Sequence, residues 1–349
     1  MSVISLDEIS GNSFLPRQSE METLEMSAFK CFDKAYSDGY RQWICMFSGG
    51  KDSTAVAITL CEWLKACKHK DIEIRFVYSD TQVEIPTILS QSTEFLEFLK
   101  GFGEVEIVKP EPSKSFWVSI IGKGYPAPHQ KFRWCTDKLK IDPTKKIIRL
   151  NNRVDTTAIF TGVRFGESDL RDKKMYSACS RGGECGQGIW MDHSQAMGIG
   201  YYAPVAFWRQ CDVWDYVNFS AYARGYPTDR LETIYNGRDS RFGCWTCTVV
   251  QQDKTMQKIV ETQSGKKYEP LLELRNFLKI ESFREDNRVI RPNGQKGRLK
   301  REFREEIFKK LLEAQRLVGY ELISQEEIDL IYKIWASGKY GDSYENRMA

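Results

Sequence analysis

Residues 43–53 read Trp-Ile-Cys-Met-Phe-Ser-Gly-Gly-Lys-Asp-Ser, and no other stretch constrains the fold as tightly. The apolar run 43–47 predicts a strand. It meets a turn of small residues, Ser48, Gly49, Gly50, Lys51, Asp52 and Ser53. Val56, Leu60, Leu64 and Cys67 then recur at helical spacing. A strand, a glycine turn and a helix together aim backbone N–H groups and a positive helix end at an anion. Gly49 and Gly50 let the backbone approach a phosphate closely. Lys51 adds a point charge, and Ser48 and Ser53 add hydroxyl donors. A Walker loop needs four residues between its glycines and a Ser or Thr straight after the lysine, so this grip is of another kind. The competing reading is a glycine hairpin with an incidental lysine.

The rest of the first two thirds alternates strand and helix. A helix over 18–37 leads into the first strand. Residues 73–78 predict a second strand, ending in Ser79-Asp80-Thr81. Pro86 suits the first turn of a helix that stops at Gly101. Strands follow over 105–108, 157–161 and 201–207, with helices over 143–150 and from 213 to 219. This order predicts an α/β fold, a parallel twisted sheet with helices on both faces. Ligands of such sheets sit beyond the carboxyl ends of the strands. Residues 48–53, Asp80 with its neighbours, and Gly162-Val163-Arg164 all fall at such ends. Residues 109–135 lack periodicity and predict a long functional loop. Residues 165–200 are glycine-rich and predict an active-site cover. From Lys254 onward the pattern is helical, with helices over 299–318 and, after a Ser324/Glu327 capping box, to the end of the last periodic run. The expected segments are an N-terminal helix (1–40), a nucleotide domain carrying the cysteines (41–253) and a helical C-terminal region (254–349).

Ten cysteines occur in a chain whose first residues show no export signal, which predicts reduced thiols, metal ligands or redox chemistry in a cytoplasmic protein. No run approaches the roughly 18 apolar residues of a membrane helix. Cys31, Cys61 and Cys67 sit on amphipathic helices and Cys45 within a strand, as small buried hydrophobes do; Cys211 leans the same way. Cys244-Trp245-Thr246-Cys247 is a C-x-x-C pair, which can serve zinc, half an iron–sulfur site or a redox couple. Cys135, Cys185 and Cys179 lie in settings that can complete a ligand set. His69, His129 and His193 share no ligand spacing. Net charge is only +3, so nucleic-acid affinity needs a local patch. Residues 284–301 hold Arg284, Arg288, Arg291, Lys296, Arg298, Lys300 and Arg301 against Glu285 and Asp286, which predicts a flexible basic loop. It reads either as a phosphate-binding patch, with Arg298, Lys300 and Arg301 as the DNA contacts, or as a solvated surface loop. Trp117, Trp134 and Trp245 read as base-stacking groups or, more commonly, as packing.

Ser48-Gly49-Gly50-Lys51-Asp52-Ser53 resembles the PP-loop of the adenine-nucleotide α-hydrolase superfamily. Ser79-Asp80-Thr81 with Glu84-Ile85-Pro86, residues 133–140 around Arg133-Trp134-Cys135-Thr136-Asp137, Gly162-Val163-Arg164 with Glu167-Ser168, and Phe242-Gly243-Cys244-Trp245-Thr246-Cys247 resemble the PAPS-reductase-like ATP pyrophosphatases. Within these, the chain is most similar to the sulfur-inserting subunits of DNA phosphorothioation systems of the Dnd and Ssp types, over about residues 40 to 256. The resemblance implies ATP, Mg²⁺ and a [4Fe-4S] cluster as cofactors. It implies Ser48, Gly49, Gly50, Lys51, Asp52, Ser53, Asp80 and Gly162 at ATP, with Lys51, Asp52 and Arg164 catalytic. Cys135, Cys244 and Cys247 match three cluster ligands; Cys185 is taken as the fourth, with Cys179 the alternative. DNA, a cysteine desulfurase and other subunits of a DNA-modification complex are the implied partners.

Three rival readings stand beside this one. A sulfonucleotide reductase uses a catalytic cysteine near its C-terminus, whereas Cys247 is the last cysteine here. A tRNA thiolase shares ATP activation and often a cluster. A catalytically silent, zinc-bound nucleic-acid module is hard to reconcile with a complete PP-loop.

Overall fold

The computed structural model describes residues 14–150, 156–166, 199–232 and 243–339. The chain forms two compact units whose segments interleave. The first is drawn from Met1–Tyr78, Leu89–Ile107 and Ile148–Thr233, the second from Ser79–Ile88, Val108–Ile147 and Ile234–Ala349. This division cuts across the linear segments 1–40, 41–253 and 254–349, because the chain leaves the first unit and re-enters it twice. In chain order the elements are α1 (Phe14–Ser37), β1 (Gln42–Phe47), α2 (Lys51–Ala66), β2 (Glu73–Ser79), α3 (Pro86–Leu99), β3 (Glu104–Val108), α4 (Asp142–Leu150), β4 (Thr157–Phe160), β5 (Gly200–Tyr202) and α5 (Gln210–Asp215). There follow α6 (Lys254–Glu261), α7 (Glu269–Glu281), β6 (Arg288–Ile290), β7 (Lys296–Leu299), α8 (Arg301–Val318) and α9 (Gln325–Ser337).

The first unit is an α/β layer built on a parallel sheet of order β3-β2-β1-β4-β5. Gln42 of the central strand pairs with Glu73 on one side and Thr157 on the other. Strand order therefore reverses at β1, and the carboxyl end of β1 is where a ligand crevice belongs. α1 buries Ala28, Cys31, Phe32 and Ala35, a helical stripe. Trp43 stacks on Trp63 at 5.0 Å and meets Phe160 at 4.9 Å, so α2, β1 and β4 share one aromatic core. Cys31, Cys45 and Cys61 are fully buried, and burial pushes the Cys45 thiol up to about 12. All eight described cysteines are free of disulfides. β5 is shorter than expected. Pro204 cannot donate to a ladder, and the chain turns instead, with Ala206 N–H donating to Ala203 O.

The second unit has a core of its own. Residues 109–135 are not the expected loop. Positions 115–128 are buried throughout, and Val118–Gly122 forms a wide helical turn. Phe116, Trp117, Ile120, Ile121 and Tyr125 join Leu271, Phe303, Ile307, Leu311 and Ile331 from α7, α8 and α9. A segment buried on every side shows no apolar period, which is why it reads as irregular. Trp117 packs against Trp245 at 5.7 Å and Trp134 stacks on Phe116 at 5.5 Å, all three tryptophans being buried, so they are packing groups. α9 has the expected capping box, with Ser324 Oγ accepting from Glu327 N–H.

The basic stretch 284–301 is also different from its sequence reading. It is an antiparallel hairpin, β6 with β7, closed by a turn at Gly294 (φ +76°). Arg288 is buried and stitches the hairpin: Nε donates to Gly297 O at 2.8 Å and Nη1 to Ser282 O at 3.2 Å. The stretch is therefore an ordered ribbon rather than a flexible loop. Among the described residues no helix is long and apolar enough to cross a membrane.

Candidate functional site

In the first unit, the turn after β1 is shaped by its own hydroxyls. Ser53 Oγ donates to Gly50 O at 2.9 Å and accepts from Ser48 N–H at 3.1 Å. Gly49 lies at φ +73°, the left-handed region that favours glycine, and Gly50 caps α2 without a side chain of its own. The helix N-terminus is thus left open toward its loop, with Lys51 in its first turn. Lys51 Nζ pairs with Asp52 Oδ2 at 2.7 Å, and Arg164 Nε pairs with Asp52 Oδ1 at 2.5 Å. Arg164 also donates to Trp208 O. One carboxylate thus clasps two buried cations, each through a different oxygen. Gly162 explains how Arg164 arrives: a Cβ there would sit 2.7 Å from Asp52 C and Ser53 N, so only glycine lets the end of β4 press on the start of α2. The structure brings Lys51, Asp52, Gly162 and Arg164 together as the strand-end rule required. Phosphate oxygens can replace the Asp52 carboxylate on Lys51 and Arg164, since both carry the charge an anion seeks.

In the second unit, the chain after β2 folds into a tight acidic turn. Asp80 Oδ1 accepts from Gln82 N–H at 2.9 Å, and Gln82 sits at φ +64°, a strained position for a residue with a side chain. Asp80 Oδ2 lies 3.4 Å from Lys109 Nζ. Thr81 donates both N–H and Oγ1 to Glu84 Oε1, at 3.1 and 2.5 Å, and its Oγ1 lies 3.4 Å from Cys244 Sγ. Glu84 Oε2 is buried with no hydrogen-bond partner. Burial, then the Asp80 charge, raises the Glu84 carboxyl above its usual range.

Cys244 pairs with Glu84 through a backbone bridge, and Cys247 N–H donates to Cys244 O at 3.0 Å. Burial pushes the Cys244 thiol up to about 11. Burial, then the Cys247 charge, raises Cys135. Cys244, then Glu84, Cys135 and Cys247, act together on Lys140 and hold its ammonium more firmly charged than usual. Among the described residues no three of His, Cys, Asp and Glu are placed to hold a single metal ion. A cubane cluster makes a different demand, spreading its thiolates over four irons, and it welcomes a nearby positive charge. Cys135, Cys244 and Cys247 are the described thiols of the type that would serve as its ligands. Cys185 and Cys179, the candidates for the remaining ligand, lie outside the described residues, as do Glu167, Ser168 and Phe242.

Sequence reasoning missed Arg275. It is buried on α7 and donates to Cys247 O at 2.9 Å, Val250 O at 2.5 Å and Gln251 O at 3.3 Å, pinning the loop after the C-x-x-C pair. An arginine in an amphipathic helix gives no signal of such a role. Of the expected DNA contacts, Lys300 is exposed and Arg298 half-buried. Arg301 is engaged, pairing with Glu305 at 2.8 Å and lying 3.6 Å over the Trp335 ring.

Comparison with known proteins adds the following. The model of the phosphoadenosine phosphosulfate reductase domain matches residues 42–250. An uncharacterised protein of Methanocaldococcus jannaschii is 32% identical over 154 residues, covering 44% of this chain and 29% of that protein. A second from the same organism is 26% identical over 205 residues, covering 58% and 40%. The match spans less than half the length of either relative. Among solved structures, phosphoadenylyl-sulfate reductase from Candida auris in its phosphate complex is 15% identical, covers 70% of this chain and 98% of that one, and gives a TM-score of 0.41. The U34-tRNA thiolase NcsA from Methanococcus maripaludis with its [4Fe-4S] cluster is 15% identical, covers 80% and 82%, and gives 0.36.

Proposed function

The chain belongs to the phosphoadenosine phosphosulfate reductase domain family, and on that premise we propose that it is an ATP-dependent sulfurtransferase acting on a DNA backbone phosphate. What supports this reading is the Lys51–Asp52–Arg164 clasp on a complete PP-loop, in a chain that also carries Cys135 and the Cys244–Cys247 pair. A phosphate grip alone supports ATP binding; the thiols add a place to handle sulfur.

A phosphodiester oxygen is a poor leaving group. In the proposed reaction it attacks the α-phosphorus of ATP, and the bond to pyrophosphate breaks. Lys51, Ser48, Ser53 and the loop amides receive the charge that builds on the departing pyrophosphate. Arg164, released from Asp52, holds a second anionic group. Mg²⁺ bound to the nucleotide would lower the charge these residues have to balance. A sulfur nucleophile then attacks the activated DNA phosphorus, forming the P–S bond as AMP leaves. Sulfide completes this step directly. A persulfide from a cysteine desulfurase needs a thiol as reductant to cleave the remaining S–S bond. A [4Fe-4S] cluster on Cys135, Cys244, Cys247 and either Cys185 or Cys179 would supply iron that binds sulfur and stores electrons. The other subunits of a DNA-modification complex are the proposed setting.

The test has two arms. Anaerobically purified, iron-replete protein is given DNA and sulfide and assayed for conversion of ATP to AMP and pyrophosphate. DNA from cells with and without this chain is digested and searched for sulfur-containing dinucleotides. AMP formation together with chain-dependent sulfur in DNA is expected. Sulfite release from a sulfonucleotide, with neither of those products, would reassign the chain to reduction.

A further inference from the structure

We propose that the β6–β7 hairpin is a duplex-DNA docking ribbon, with lysines on its flank for phosphates and an apolar edge, Val289 and Ile290, for the groove. The inference rests on the DNA reading above and specifies how the second unit would engage that substrate.

Three observations lead there. First, the hairpin is rigid at its base. Arg288 ties both strands to the backbone of residues 282 and 297, Leu299 N–H donates to Gly124 O at 2.8 Å, and Lys300 N–H donates to Asn287 O at 2.9 Å. The register shift between Arg288 and Ile290 adds twist to the ribbon. Second, Val289 and Ile290 are consecutive on one strand of the hairpin, 48% and 45% exposed, and so place two aliphatic side chains side by side among its cations. Adjacent strand residues normally face opposite sides of a ribbon, and both are exposed here. Third, the surroundings are basic. Residues 284–301 carry seven Lys and Arg against two Asp and Glu. With Arg288 buried and Arg301 engaged by Glu305, the exposed lysines are Lys296, whose ammonium reaches Phe283 O, and Lys300.

A two-stranded ribbon fits a DNA groove. Apolar side chains flanked by cations suit a surface that offers sugar and base edges between two rows of phosphates. A protein partner would accept the apolar pair but has no need for lysines on the flank.

The test uses the full chain, a labelled DNA duplex and salt titration between about 50 and 200 mM. Lys296→Ala with Lys300→Ala should weaken binding several-fold and reduce the salt slope by about two, one for each phosphate left without its lysine. Val289→Ser with Ile290→Ser should weaken binding several-fold and leave the salt slope unchanged. DNA affinity is measured without ATP, so its loss in the hairpin variants tests the ribbon, whereas loss of ATP-to-AMP turnover in Lys51→Ala tests the proposed function. Wild-type binding that neither variant alters overturns the proposal, as does wild-type failure to bind duplex. If the serine variant keeps its DNA affinity but loses association with a partner subunit or a second copy, the ribbon is a protein contact and the DNA assignment is wrong.

Discussion

The two units bury their cations in opposite ways. In the sheet unit Lys51 and Arg164 are buried against a carboxylate, Asp52. In the second unit Arg275 and Arg288 are buried mainly against backbone carbonyls, and burial lowers both guanidinium pKa values, Arg288 to about 10. A carboxylate can be exchanged for a phosphate of like charge, so the first arrangement can open to a ligand. Backbone carbonyls cannot be exchanged without unstitching the chain, so the second arrangement fixes loops in place. The first unit therefore keeps its charge available for chemistry, and the second spends it on shape.

Lys51→Ala carries the largest expected effect. The Asp52–Arg164 pair survives, so the fold should hold. Loss of one preorganised charge at the departing pyrophosphate should slow AMP formation by roughly 10²–10³-fold. Unchanged turnover would break the claim that the clasped cations serve the nucleotide.

Arg275→Met should come next. It leaves the carbonyl of Cys247 without its side-chain donor, at about 1–3 kcal/mol, while Val250 O keeps Lys279 Nζ at 2.6 Å. Reduced denaturant stability with lowered iron content after reconstitution is expected. Full stability with full iron content would mean the loop holds its shape without this staple. Gly162→Ala belongs to the sheet unit and should cost about 1–3 kcal/mol, because its new methyl meets backbone rather than a yielding side chain. Thermal unfolding checks the cost. AMP formation should fall with it, since Arg164 moves with the end of β4.

How much of this could be read beforehand divides along the same line. The turn after β1 was legible because its parts are local: Ser48, Gly49, Gly50 and Ser53 shape it, and the position of Arg164 follows from the rule for strand ends. Asp52 as a clasp was not legible, because the ion pair joins positions far apart in sequence whose approach depends on Gly162. In the second unit the helices α8 and α9 were legible from period and capping. The buried segment 115–128 was not, since an element apolar all round has no face to betray it. The hairpin was hidden by its short strands and by Arg288, whose charge suggests solvent while its five-donor fork is satisfied inside.

The smallest effect concerns the positive surroundings that a buried arginine without a carboxylate creates. His129 packs edge-on to Phe283 at 5.6 Å, and burial, then the charges of Arg288 and Lys131, lower its pKa from the ordinary 6.5. A group whose folded pKa is depressed contributes stability above its unfolded pKa, and that stability is lost as pH falls through the folded value. Stability should therefore decline on going from about pH 7.5 to about pH 5.5, and the decline should be smaller in His129→Gln, where nothing titrates. Melting temperatures of the two proteins at the two pH values measure the difference, and other titrating groups cancel between them. Equal declines would show that His129 does not feel the Arg288 charge. The contrast between a carboxylate-paired and a carbonyl-paired cation would then have no electrostatic consequence beyond the hydrogen bonds themselves.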